Sequence, residues 1–243
     1  PCDLVDPPKP RRKSMRTLTP EEVKILLEVA AGNQYYPVVY TALNTGLRQA
    51  ELLGLRWRDI DLDLRSISVC QVLYKRRGVC QFKEPKTSHS KRRVSMTAKL
   101  ADYLSGYKGE RESLYLHLGR LLRPDDLVFS NIESEPIDAG VLSHNFARMA
   151  KRAGLQGVRF HDLRHTFASL MLLRGAKPKV ISEALGHSSV AFTMDVYSHI
   201  IEGMQSDAMA LLDEVLPAGR NGIFGKNNAN LTPTFQDLAS AGR

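Results

Sequence analysis

The chain has 243 residues, of which 43% are hydrophobic and 25% charged, and it carries a formal charge of +8. That is the composition of one generous globular unit with tails, and it excludes a collagenous, disordered or disulfide-stapled chain. No apolar run approaches the ~18–20 residues of a membrane span and residues 1–16 hold no apolar signal region, so no membrane partner and a cytoplasmic location are expected.

Residues 1–16 contain four prolines and a cluster of Arg and Lys, and read as a linker following an upstream domain. A helix start follows at Thr19-Pro20-Glu21-Glu22, where Thr19 caps, Pro20 sits in the first turn and the acids favour the positive end. Val23, Leu26, Leu27 and Ala30 give it an apolar face, ended by Gly32-Asn33. A second helix is predicted from about Tyr36 to Asn44, stopping at Thr45-Gly46. A third begins near Arg48, with Leu52, Leu53 and Leu55 facing inward. The period then drops to two. Ile67, Val69, Gln71 and Leu73 alternate with Ser66, Ser68, Cys70 and Val72, and residues 79–84 and 92–96 add two more strands. A tight hairpin at Lys75–Gly78 sets residue 73 opposite residue 80, with Cys70 and Cys80 on opposite faces. With Cys2 they form an odd set without C-x-x-C spacing, so free thiols are expected. A helix is predicted over 97–122, a brief extended piece at Leu127-Val128-Phe129, and helices at about 139–153, 161–174, 178–185, 189–196 and 199–215. The fold class is mainly α with a small three-stranded antiparallel β-sheet. The body spans 17–216, and 217–243 is a flexible or partner-docking tail.

Charge is concentrated. Between Tyr74 and Arg93, Lys75, Arg76, Arg77, Lys83, Lys86, Lys91, Arg92 and Arg93 face one acid, Glu84, a local charge of +7. A basic strip on a near-neutral body suits a polyanion such as nucleic acid, although a charged hairpin is also a common solvated surface.

Four constellations carry chemistry. His161-Asp162-Leu163-Arg164-His165 opens a helix and places two imidazoles and a guanidinium on one face. His-x-x-x-His resembles a zinc protease helix, but Asp162 is short for the base, Arg164 sets a cation beside the metal, and no third ligand follows at a fixed distance. A phosphate site is the competing reading, with Arg164 giving bidentate hydrogen bonds. His165 itself reads as a satisfied core histidine. Arg48 stands at a helix corner after Gly46, in Thr45-Gly46-Leu47-Arg48-Gln49-Ala50-Glu51. Lys86 lies in Pro85-Lys86-Thr87-Ser88, between two strands of the basic strip. Leu185-Gly186-His187-Ser188-Ser189 is followed by Tyr197, ten residues after His187.

Taken in order, the Arg, the hairpin Lys, His-x-x-Arg, Gly-His and Tyr resemble the active site of the tyrosine recombinase (phage integrase) family, from about Thr17 to Ile200. The resemblance implies the catalytic-domain fold of those DNA breaking-rejoining enzymes. It implies that Arg48 and Arg164 clamp the scissile phosphate, that Tyr197 attacks phosphorus to leave a 3′-phosphotyrosyl link and a free 5′-hydroxyl, and that His161 is the general base. It further implies that Lys86 protonates the departing 5′ oxygen, His187 hydrogen-bonds the phosphate, and Glu51 orders the site. The remaining basic residues, Lys75, Arg76, Arg77, Lys83, Lys91, Arg92 and Arg93, become candidate DNA contacts. No metal or nucleotide cofactor is implied. Duplex DNA, a homo-tetramer on synapsed sites and accessory DNA-bending proteins are the implied partners. Residues 1–16 would be the linker from an amino-terminal DNA-binding domain. The rivals are a type IB topoisomerase and a non-catalytic DNA-binding protein.

Overall fold

The computed structural model describes residues 16–76, 78–84 and 91–198. Most of the expected linker, Arg77, Lys86, the helix expected over 199–215 and the tail 217–243 lie outside those residues.

The first helix, α1 (Pro20–Ala30), starts as its sequence requires. The Thr19 hydroxyl accepts from the Glu22 N–H at 3.2 Å, and the Glu22 carboxylate accepts from the Thr19 N–H at 3.0 Å, which satisfies two otherwise orphaned donors. Then come α2 (Tyr36–Thr45) and the short α3 (Gln49–Leu53). After the strands, α4 (Ala98–His117) is shorter than predicted, because Gly119 takes a left-handed φ of 73° just past its end. Next are α5 (Ala139–Arg152), capped by the Asp138 carboxylate, α6 (Asp162–Leu173) and α7 (Pro178–Leu185). Residues 190–198 are helical. Of the extended piece expected at Leu127-Val128-Phe129, Leu127 forms an isolated antiparallel bridge with Arg56 and Val128-Phe129 bend; all three are buried, with the Val128 N–H on the Leu55 carbonyl at 2.8 Å. Among the described residues no helix is long and apolar enough to cross a membrane.

The strands are β1 (Ile60–Asp61), β2 (Ser66–Val69), β3 (Val72–Arg76), β4 (Val79–Lys83) and β5 (Arg92–Ser95). A three-stranded antiparallel sheet exists, but its order is β1-β2-β5, and β3-β4 is a separate hairpin. The predicted strand through residues 66–73 is therefore two strands broken at Cys70-Gln71. Packing against α3 breaks it. A Cβ on Gly54 would lie 3.0 Å from the Leu73 nitrogen and 3.1 Å from the Gln71 carbonyl oxygen, so the chain at 71–73 crosses directly over that glycine. The Gln71 amide seals the crossing by donating to the Gly54 carbonyl at 2.8 Å. The hairpin also closes more tightly than predicted: Lys75, not residue 73, lies opposite Cys80, because Gly78 at φ 82° permits the turn next to the Arg76–Val79 pair. Cys70 and Cys80 are free thiols.

One continuous core cluster runs from Leu18 to Leu163. Leu26, Val38, Val39, Leu52, Leu53, Ile67, Leu100, Leu104, Leu142, Phe146 and Leu163 are its fully buried centre. A close backbone approach lies where α2 ends. Gly46 adopts a left-handed φ of 64°, and a Cβ there would stand 2.4 Å from Phe167 Cδ1 and 2.7 Å from Leu185 Cδ2. The end of α2 thus packs backbone-first against α6 and α7.

Gly46→Ala should lower the free energy of unfolding by about 2–4 kcal/mol, from left-handed strain plus overpacking. Urea denaturation measures this, and an unchanged midpoint would contradict the close approach.

Candidate active site

The close packing at Gly46 leaves carbonyl oxygens exposed to a cation. Arg164 is 4% exposed, and its guanidinium donates to the Gly46 carbonyl at 2.8 Å and the Leu185 carbonyl at 2.7 Å. Both oxygens sit at helix C-termini, where the unpaired carbonyls carry partial negative charge. Burial, and then the nearby Arg48, push Arg164 down to about 9, which leaves it a cation at neutral pH. Arg48 caps α3 in extended backbone and reaches the Gly186 carbonyl at 3.3 Å. Its side chain is 40% exposed, so the pair presents one buried and one open guanidinium.

Glu51 holds Arg48 in place. Its carboxylate accepts from the Arg48 N–H at 2.7 Å and the Arg48 guanidinium at 2.9 Å, and from two Arg92 nitrogens at 3.0 and 2.9 Å. Burial alone would raise this carboxyl. Hydrogen bonding and charge from Arg92, reinforced by Arg48, outweigh burial and hold it below the ordinary glutamate value. Arg92, expected on the DNA-facing strip, turns inward instead and also donates to the Ala184 carbonyl at 2.6 Å. Period two already contained the signal, since Arg92 shares its face of β5 with buried Val94 while Arg93 points outward.

The remaining strip stays outside. Arg76, Lys83 and Arg93 are exposed, Lys83 lies 4.9 Å over the Tyr74 ring, Lys75 pairs with Asp138, and Lys91 pairs with Glu84 at 2.7 Å.

The imidazoles gather around Arg164. His161 caps α6 and is lowered by burial and then by Arg164. His187 follows the left-handed Gly186 at the end of α7, and its Nδ1 lies 2.8 Å from the Thr193 hydroxyl. Burial, then Arg164 and Arg48, push His187 down to about 4. Tyr197 is 1% exposed, and burial pushes its phenol up to about 12, with Arg164 opposing. Its hydroxyl lies 3.0 Å from Nδ1 of His165, the histidine that the sequence assigned to the core. His161 and His165 meet edge to face with ring centroids 5.0 Å apart. Among the described residues no cluster of three or more His, Cys, Asp or Glu side chains could hold a metal ion. Arg48, Glu51, His161, Arg164, His187 and Tyr197 are therefore brought together, and Lys86 falls outside the described residues.

Two guanidiniums, three imidazoles shifted toward their neutral forms and a sequestered phenol thus share one site. The chain matches the phage integrase family over residues 16–203 and belongs to that family. It is 34% identical to the ICEBs1 integrase of Bacillus subtilis over 218 residues, covering 89% of this chain and 59% of that protein. It is 30% identical over 227 residues to a tyrosine recombinase XerC-like protein of Caldanaerobacter subterraneus, covering 87% of this chain and 58% of the relative. The chain thus spans under three-fifths of the length of these relatives. Among solved structures, XerA recombinase matches with a TM-score of 0.63 at 27% identity, covering 79% of this chain and 65% of that one. The Tn1549 transposon integrase, in complex with transposon right end DNA, shares the fold at a TM-score of 0.68 and 23% identity, covering 83% and 67%.

Glu51→Gln should cost about 3–5 kcal/mol of stability at pH 7, because the buried Arg92–Glu51 ion pair is then broken. The carboxylate's folded pKa is depressed, so its contribution is complete above about pH 4.3 and is lost as pH falls through the folded value. The deficit of the variant should therefore shrink in acid. Urea titrations across pH test this, and a deficit constant down to about pH 2 would contradict it.

Proposed function

We propose that the chain is the catalytic part of a site-specific recombinase that cuts and rejoins duplex DNA through a 3′-phosphotyrosyl intermediate. The observation that carries this reading is the packing of Arg48 and Arg164 onto the carbonyls at the ends of α2 and α7, with His187 and Tyr197 within electrostatic reach of Arg164. Planar guanidiniums match phosphate oxygens and stay charged, so they stabilise the added negative charge of a pentavalent transition state. Tyr197 is the nucleophile, Lys86 the acid for the leaving oxygen, and Glu51 the residue that aims Arg48. Thr193 fixes the His187 ring through Nδ1, which leaves Nε2 for a phosphate oxygen. Residues 17–216 form the catalytic unit. Arg76, Lys83 and Arg93, with Lys75, Lys91 and Arg77, track the DNA backbone. The family match and the names of the relatives favour recombination over the topoisomerase and non-catalytic alternatives. Synapsis of two sites by four copies, accessory DNA-bending proteins and action in the cytoplasm complete the proposal.

The test uses a nicked duplex carrying the attachment-site core, from which the short cut strand diffuses away and prevents rejoining. A denaturing gel should show a protein–DNA band with a blocked 3′ end and a free 5′ end. Tyr197→Phe should abolish the band and leave duplex binding nearly intact, since one hydroxyl is lost. An adduct formed by the Phe variant would move the nucleophile elsewhere.

Lys86→Ala should slow cleavage of ordinary DNA by about 10²–10⁴-fold and barely slow cleavage of a 5′-bridging phosphorothiolate, whose sulfur leaves without a proton. Equal slowing on both substrates, followed by single-turnover kinetics, would remove Lys86 from the acid role.

A further inference from the structure

Three groups proposed to hold the phosphate hang from one short stretch of chain. The Leu185 carbonyl accepts from Arg164 at 2.7 Å, the Gly186 carbonyl accepts from Arg48 at 3.3 Å, and His187 follows directly. Arg92, on β5, braces that stretch. Its Nε donates to the Ala184 carbonyl at 2.6 Å. Its side chain also fills the place that one on Gly186 would take: a Cβ there would stand 2.9 Å from Arg92 Nη1 and 3.1 Å from its Cδ and Cζ. Nη1 and Nη2 grip the two Glu51 oxygens at 3.0 and 2.9 Å, and the same carboxylate bonds Arg48. We infer that Arg92 is a positioning residue for the phosphate site, fixing Glu51 and the 184–187 segment to each other without touching the substrate. This rests on the reading of Arg48, Arg164 and His187 as the groups that hold the phosphate.

Both supports of Arg48, the Glu51 carboxylate and Gly186, are in contact with Arg92. The Arg92 side chain is 7% exposed, which leaves it little surface for an incoming strand. Geometry as well as charge requires an arginine here. A planar fork meets both oxygens of a carboxylate while Nε serves a carbonyl, so one rigid group fixes three directions. A lysine keeps the charge, but its ammonium cannot reproduce that fork. Glu51 is then free to turn, and Arg48 turns with it. Misplacing a reacting group by about 1 Å costs on the order of 10²-fold in rate.

Two plainer roles lead to different outcomes. If Arg92 only supplied positive field, any cation at its place would serve. If it only held the fold together, its loss would lower the number of competent molecules and leave the rate of each one unchanged.

Arg92→Lys in the intact chain separates these roles. With enzyme in excess over the nicked duplex, the variant should form the 3′ adduct about 10²-fold more slowly, at nearly native duplex affinity. The rate constant decides, because partial unfolding lowers only the final amplitude. A native rate constant, at full or reduced amplitude, would overturn the inference. Glu51→Asp keeps every charge but draws the carboxylate back, so it breaks the same link from the other side and should slow the rate constant in the same way; a native value there counts against the inference too. A further readout needs no DNA. Burial, and then Arg164 and Arg48, hold the His187 imidazole down to about 4, with His165 and Arg92 adding to them. Guanidiniums that leave their carbonyls relax this repulsion, so His187 in Arg92→Lys should titrate about one pH unit higher by NMR. An unmoved midpoint would sink the inference even in a chain that cuts nothing. Tyr197→Phe run alongside keeps the claims apart: an adduct there removes the nucleophile assignment and leaves the His187 titration to decide on Arg92.

Discussion

A charge buried away from water is costly unless its hydrogen bonds are replaced, and Arg164 replaces them with backbone carbonyls. Carbonyl oxygens stabilise the guanidinium without cancelling it, so its positive field stays available to an incoming anion. Everything around Arg164 serves that arrangement. Two helix C-termini must meet at one point, which requires Gly46 to turn left-handed with no side chain, and requires Phe167 and Leu185 to fill the space where one would have stood. The hydrophobic packing of α2, α6 and α7 and the chemistry of the site are one constraint seen from two sides.

Glu51 shows the opposite treatment of charge. Here a carboxylate is buried, and two arginines neutralise it with four hydrogen bonds between them. Arg92 commits its guanidinium to this bridge and ties β5 to α3 and to the end of α7. Arg48 bonds Glu51 through one nitrogen and the Gly186 carbonyl through another, yet its side chain stays 40% exposed. The same residue type thus takes three environments within one site: a buried strut on a carboxylate, a half-exposed guanidinium and a buried guanidinium on backbone carbonyls. What differs is the oxygen each one meets.

Local chemistry was legible in the sequence where neighbours decide the structure. Thr19, Pro20 and Glu22 specify the start of α1 by their own hydrogen bonds, and the order of Arg48, Arg164, His187 and Tyr197 indicated which polar residues would share a site. What escaped was set by contacts far apart in the chain. The break at Cys70-Gln71 depends on Gly54, a backbone approach that no alternation pattern encodes. Arg92 was legible by parity, but the charge of its neighbours suggested an outward strip. His161 and His165 share a helix face, and spacing alone does not tell which of them a tyrosine 32 residues downstream will touch.

The burial of Tyr197 has a consequence for the protein at rest. Burial pushes its phenol up to about 12, so at neutral pH it rests protonated. If Tyr197 is the nucleophile proposed above, it is stored protonated and shielded from water. On the proposed reading, reactivity belongs to the complex with DNA and not to the free chain.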